Sequence, residues 1–98
     1  MLENNLSYYY IFYITAKEKN ISRAANALYI SQPAVSKAIR HLEENIGATL
    51  FFRTSRGVSL TTEGQVLFHS VETAMQALSS GEHQISQMRQ LDMGHIRI

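Results

Sequence analysis

The sequence contains no cysteine, which excludes disulfides and thiolate metal sites and is compatible with a reducing compartment. It also lacks a long hydrophobic run. The longest, Tyr8 to Ala16, is too short to span a bilayer and has no basic stretch before it, so it is neither a membrane anchor nor a signal peptide. A soluble, cytoplasmic domain is expected. Catalytic groupings are missing too. His41, His69, His83 and His95 lie far apart, and no two of them stand three or four residues from each other as a metal site on one helix face would require. Glu43 and Glu44 are adjacent and diverge, so they cannot act as a facing pair. No serine sits in a nucleophile elbow, and no glycine-rich loop could cradle a phosphate. An enzyme is not expected, nor a cofactor within this segment.

What the chain does have is a patterned charge and strong helical periodicity. With 98 residues, 45% of them hydrophobic, it can bury one small core but not two. Residues 1–60 hold seven Lys and Arg against four acids, whereas residues 61–98 hold two against four. A basic front and a mildly acidic back suggest that the first half touches an anionic partner.

Ser31 to Glu43 is the stretch around which the rest is organised. Ser31 can cap a helix, Pro33 sits where a missing N–H costs nothing, and Ile30 and Val35 have the spacing of a hydrophobic staple. Val35, Ile39, Leu42 and Ile46 fall on one stripe, while Ser36, Lys37 and Arg40 project from the other side, with Gln32 and Pro33 at the leading end. Gly47 supplies the stop.

Upstream, Tyr9, Phe12, Tyr13 and Ala16 repeat at helical spacing, predicting a core-forming helix capped by Asn5 or Ser7 and running to about Lys19. The tyrosine cluster reads as packing. Ser22 is the expected cap of a short helix from Arg23 to about Leu28, with Ala24 and Ala25 small enough for a close crossing. Ala25 through Tyr29-Ile30-Ser31 to Val35 has helix-turn-helix spacing. With Tyr29 where many such turns carry glycine, a longer or differently shaped turn is expected.

Downstream, Ala48 to Leu60 reads as a hairpin with a basic turn at Arg53 and Arg56, the wing of a winged helix. Such arginines can reach a backbone phosphate or a narrow minor groove. Thr62 and Gln65 form a capping box for a helix to about Leu91, roughly 45 Å long. Along it Leu67, Val71, Ala74, Leu78, Gly81, Ile85 and Met88 alternate steps of four and three, an a/d seam. Folding back on its own domain would cover the first two turns at most, so self-association along the seam is expected. Met93-Gly94 should break the helix, and Ile96-Arg97-Ile98 reads as the first strand of a further domain. The expected organisation is a winged helix-turn-helix over residues 1–61, a dimerisation helix over 62–92, and the start of a further domain over 93–98. The fold class is mainly α.

These residues resemble the LysR-type transcriptional regulators. The resemblance lies in Ser22-Arg23-Ala24-Ala25, Leu28, Ser31-Gln32-Pro33-Ala34-Val35-Ser36, Ile39, Leu42-Glu43 and Ile46-Gly47. It continues through Leu50-Phe51, Arg53, Arg56-Gly57-Val58, Leu60-Thr61 and Gly64. It implies a bacterial DNA-binding domain that dimerises through antiparallel linker helices, forms tetramers at full length, and joins a carboxy-terminal domain that binds a small-molecule effector. The double-stranded target would be a partly palindromic promoter site, often with a T-N11-A core. Major-groove contacts are implied for Gln32, Pro33, Ser36 and Lys37, with Ser31 and Arg40 close by. Arg56 would enter the minor groove with Arg53 beside the backbone. Lys37 stands where arginine or another polar residue is frequent, so its base preference does not carry over. The competing reading is a protein-binding adaptor on a winged-helix scaffold. That would want apolar anchors on the third helix, and Ser36, Lys37 and Arg40 are not apolar.

Overall fold

The computed structural model describes the backbone of residues 6–96 and the side chains of residues 6–91. Helix α1 spans Leu6–Glu18, α2 Ile21–Leu28 and α3 Gln32–Ile46. Strands β1 (Phe51–Thr54) and β2 (Gly57–Leu60) follow, and then a long helix α4 (Thr62–Ile96). Asn5, one of the two expected caps of the first helix, lies outside the described residues.

Helices α1, α2 and α3 pack against one another around Phe12, Ala24, Ala25, Val35, Ile39 and Leu42, all buried. Ala24 and Ala25 leave room for close helix crossings, as their size led one to expect. Thr15 is fully buried in α1, and its hydroxyl donates to the Ile11 carbonyl at 2.7 Å, so no polar group is stranded. The tyrosines are largely packing residues. Tyr13 stacks on Phe68 of α4 with ring centroids 5.2 Å apart, and Tyr8 meets His41 edge-on at 5.0 Å.

Two caps differ from expectation. Lys19 ends α1 in the left-handed conformation (φ 60) and leaves Asn20 extended. The Asn20 side chain, not Ser22, then accepts from the Arg23 N–H at 2.9 Å, and α2 begins at Ile21. At α4 the cap is Thr61, not Thr62. Its buried hydroxyl accepts from the Gly64 N–H at 2.9 Å and donates to the Thr49 carbonyl at 2.6 Å. A cap that also ties down the preceding loop displaces the capping box expected from Thr62 and Gln65.

The turn between α2 and α3 is not lengthened either. Tyr29 adopts the glycine-like conformation itself (φ 58, ψ 39), and the Ile30 N–H reaches the Ala25 carbonyl at 3.1 Å. This is the usual glycine-type helix ending, held by a residue with a Cβ. Ser31 and Gly47 (φ 81) bound α3 as the sequence indicates.

Strands β1 and β2 pair antiparallel with Phe51 opposite Leu60 and Thr54 opposite Gly57. The hairpin turns Phe51 and Val58 inward, and Phe51 lies 5.3 Å from Phe12 between ring centroids. Two glycines allow the wing to dock. A side chain on Gly57 (φ 138) would collide with the Lys19 carbonyl, and one on Gly64 with the Leu50 carbonyl.

Helix α4 rests on the domain through Leu67, Phe68, Val71 and Met75. The covered segment therefore reaches Met75, about four turns rather than two. Beyond it every side chain from Gln76 to Leu91 is exposed, Gly81 apart. The helix also runs through Met93 and Gly94 to Ile96. One glycine costs an established helix only about 1 kcal/mol, too little to end it there. Arg97 and Ile98 lie outside the described residues.

Candidate nucleic-acid interface

The exposed side of α3 is built from its first three turns. Ser31, Gln32 and Pro33 are exposed at its amino end, followed by Lys37 and Arg40, while Ser36 is half-buried beside the core. The core stripe of Val35, Ile39 and Leu42 fixes this orientation, because burying those three leaves the polar residues no other direction. Pro33, Lys37, Arg40, His41 and Glu44 line one shallow groove along the helix. Gln32 is not loose. Its Nε2 donates to the Ser22 hydroxyl of α2 at 2.9 Å.

The wing carries Arg53 and Arg56, both exposed. The Thr54 hydroxyl organises its tip, accepting from the Arg56 N–H at 3.2 Å and donating to the Gly57 carbonyl at 3.3 Å. The base of the wing is tied in two places. The Val58 N–H donates to the Lys19 carbonyl at 3.1 Å, and the Leu50 N–H donates to Glu43 Oε2 at 2.8 Å.

Sequence reasoning counted Glu43 among the residues of the family resemblance and as one of two adjacent acids, and missed its bond to the wing. Its position four residues after Ile39 was the available signal, since that spacing carries a side chain to the edge of the buried stripe. The half-buried carboxylate joins the helix expected to read DNA to the wing.

The expected seam divides into two parts. Val71 is buried and Leu67 partly buried within the protomer, whereas Ala74, Leu78, Ile85 and Met88 are exposed and Gly81 is half-exposed. Leu78, Ile85 and Met88 keep 60–63% of their surface open, and Leu91 beyond them 74%. Among the described residues no helix is long and apolar enough to cross a membrane, and no three His, Asp or Glu side chains cluster to hold a metal.

Three helices, a two-stranded wing and a long trailing helix define a winged helix-turn-helix protein with an extended fourth helix. Residues 6–65 match the family described as bacterial regulatory helix-turn-helix protein, LysR family. The chain belongs to that family. It is 38% identical over 89 residues to the HTH-type transcriptional regulator BudR of Klebsiella aerogenes, a match covering 91% of this chain and 60% of BudR. The crystal structure of Vibrio fischeri DarR in complex with DNA superposes with a TM-score of 0.70 at 37% identity, covering 86% of this chain and 29% of DarR. The BenM_DBD/catB site 1 DNA complex gives a TM-score of 0.71 at 30% identity, covering 88% of this chain and 92% of that one. The chain spans less than two thirds of the length of the curated relatives it matches.

Proposed function

We propose that this segment is the DNA-binding part of a transcriptional regulator, reading double-stranded DNA as a homodimer. One observation carries the reading: in a chain of this family, the exposed side of α3 and the tip of the wing are polar and cationic, and the Leu50–Glu43 hydrogen bond ties α3 to the base of the wing. Helix α3 lies in a major groove with Gln32, Pro33, Ser36 and Lys37 at base edges and Ser31 and Arg40 toward the backbone. Arg56 enters the adjacent minor groove, and Arg53 contacts phosphate. The DNA complexes of DarR and BenM_DBD support this assignment through their likeness to this chain.

The exposed stripe of α4 supplies the dimer. Leu78, Ile85 and Met88 lie on one side of a helix and stay exposed among the described residues, and a second copy of the same stripe would cover them. Two α3 helices then address two half-sites separated by about one helical turn of DNA or a multiple of it. In the whole protein, a carboxy-terminal domain would bind a small-molecule effector, tetramers would form, and the site of action would be the cytoplasm.

The test is fluorescence anisotropy against a T-N11-A palindrome and a scrambled duplex at several salt concentrations. Preference for the palindrome with a steep loss of affinity as salt rises is expected, because phosphate contacts release counterions. Equal affinity for both duplexes at every salt concentration would refute sequence-specific reading.

A further inference from the structure

We propose that Ser22 positions the Gln32 amide so that it reads adenine, making Ser22 a determinant of base preference that never needs to touch a base. The inference rests on the reading above, in which the amino end of α3 enters a major groove. Asn20 caps α2, so the Ser22 hydroxyl, two residues into that helix, is not required there. Instead it accepts from Gln32 Nε2 across the helix-turn-helix turn at 2.9 Å, ten residues along the chain. Both side chains are exposed, so the bond gains nothing from a dry environment. Its consequence is orientation.

A glutamine amide has two N–H donors and one carbonyl acceptor. With one N–H held by Ser22, Gln32 has a single N–H and its Oε1 left to offer. A donor beside an acceptor complements the major-groove edge of adenine, which presents the N7 acceptor and the N6 amino donor. Guanine presents two acceptors, O6 and N7, and would leave Oε1 facing another acceptor. A free amide could turn over about its last torsion, which is broad and roughly two-fold, and offer both N–H groups. With the Ser22 hydroxyl accepting from Nε2, as here, the amide keeps an N–H beside Oε1 outward; a hydroxyl turned to donate to Oε1 would leave both N–H groups outward instead. Glutamine at the head of α3 can therefore take adenine or guanine, and the direction of its bond to the serine on α2, Nε2 donating, selects adenine.

The experiment is selection from a pool of duplexes with randomised half-sites, using the full chain, Ser22→Ala, Ser22→Thr and Gln32→Ala. The unaltered chain should enrich adenine at one position of each half-site, about tenfold over guanine, as one bidentate base contact allows. Gln32→Ala should lose that preference, and so locate the position Gln32 reads. Ser22→Ala should reduce it to less than about threefold there while leaving the other positions unchanged, since the Asn20 cap remains. Ser22→Thr, which keeps the hydroxyl, should retain it. A general structural defect would instead weaken every position together. Unchanged adenine preference in Ser22→Ala, or guanine enriched at the Gln32 position, would overturn the role of Ser22 while leaving DNA reading intact. Failure of the unaltered chain to enrich any sequence would overturn both.

Discussion

The Glu43 carboxylate accepts a hydrogen bond from the Leu50 N–H at 2.8 Å, so the helix that carries the cationic groove also holds the root of the wing. Removing the acceptor strands a backbone donor in a partly buried place, which costs about 1–3 kcal/mol. Glu43→Ala should lower unfolding free energy by about that amount in a urea titration. Glu43→Gln, which keeps an amide oxygen, should lose less. Equal stability of the alanine variant and the unaltered chain would show that the bond is not holding the wing.

Tyr29 is 94% exposed and left-handed (φ 58). An L-residue in that conformation loses about 1–2 kcal/mol, and a ring in water recovers little of it through packing. Glycine removes the strain but adds freedom to the unfolded chain, worth about 0.4–1 kcal/mol. Tyr29→Gly should therefore stabilise the fold by about 0.5–1 kcal/mol, and Tyr29→Val should destabilise it. Thermal melts of the two variants, moving in opposite directions, check the claim.

These residues also show where the sequence was legible. Periodicity placed α1, α3 and the body of α4, though not its end at Ile96, because burying Val35, Ile39 and Leu42 leaves α3 a single orientation. Two β-prone runs around a glycine turn placed the wing. The same stripe puts Lys37 and Arg40 outward, and the hairpin turn does so for Arg53 and Arg56, all four exposed. Caps were less legible, since several polar residues compete within two positions of each helix start. The choice of Asn20 over Ser22 was set by a left-handed Lys19, and that of Thr61 over Thr62 by a carbonyl at Thr49. Neither partner is visible in local sequence. The bonds from Gln32 to Ser22 and from Glu43 to Leu50 were hidden for the same reason: both join elements that only the packed core brings together.

Arg56 stands at the wing tip, with its backbone N–H held by Thr54 and its side chain exposed. Arg56→Ala should weaken operator binding by about 1–3 kcal/mol and relax preference where the minor groove narrows. Stability should stay within about 0.5 kcal/mol, as for other exposed positions. Anisotropy titrations on duplexes that differ only beneath the wing measure both effects. Unchanged affinity and unchanged preference would remove the wing from DNA reading.

Val71 and Leu78 sit one heptad apart on the same stripe, yet Val71 is 8% exposed and Leu78 63%. Charge at each should therefore do different damage. Val71→Glu buries an unpaired carboxylate against the core and should destabilise the protomer by several kcal/mol. Leu78→Glu touches nothing within the protomer's core, so its fold should persist, but two copies would place like charges along the shared stripe. Sedimentation should find Leu78→Glu monomeric at concentrations where the unaltered chain is dimeric. Its affinity for a palindromic site should fall by about a hundredfold as the two half-sites cease to be linked. A Leu78→Glu chain that sediments as a dimer would place the interface elsewhere and leave the exposed end of α4 for a different partner.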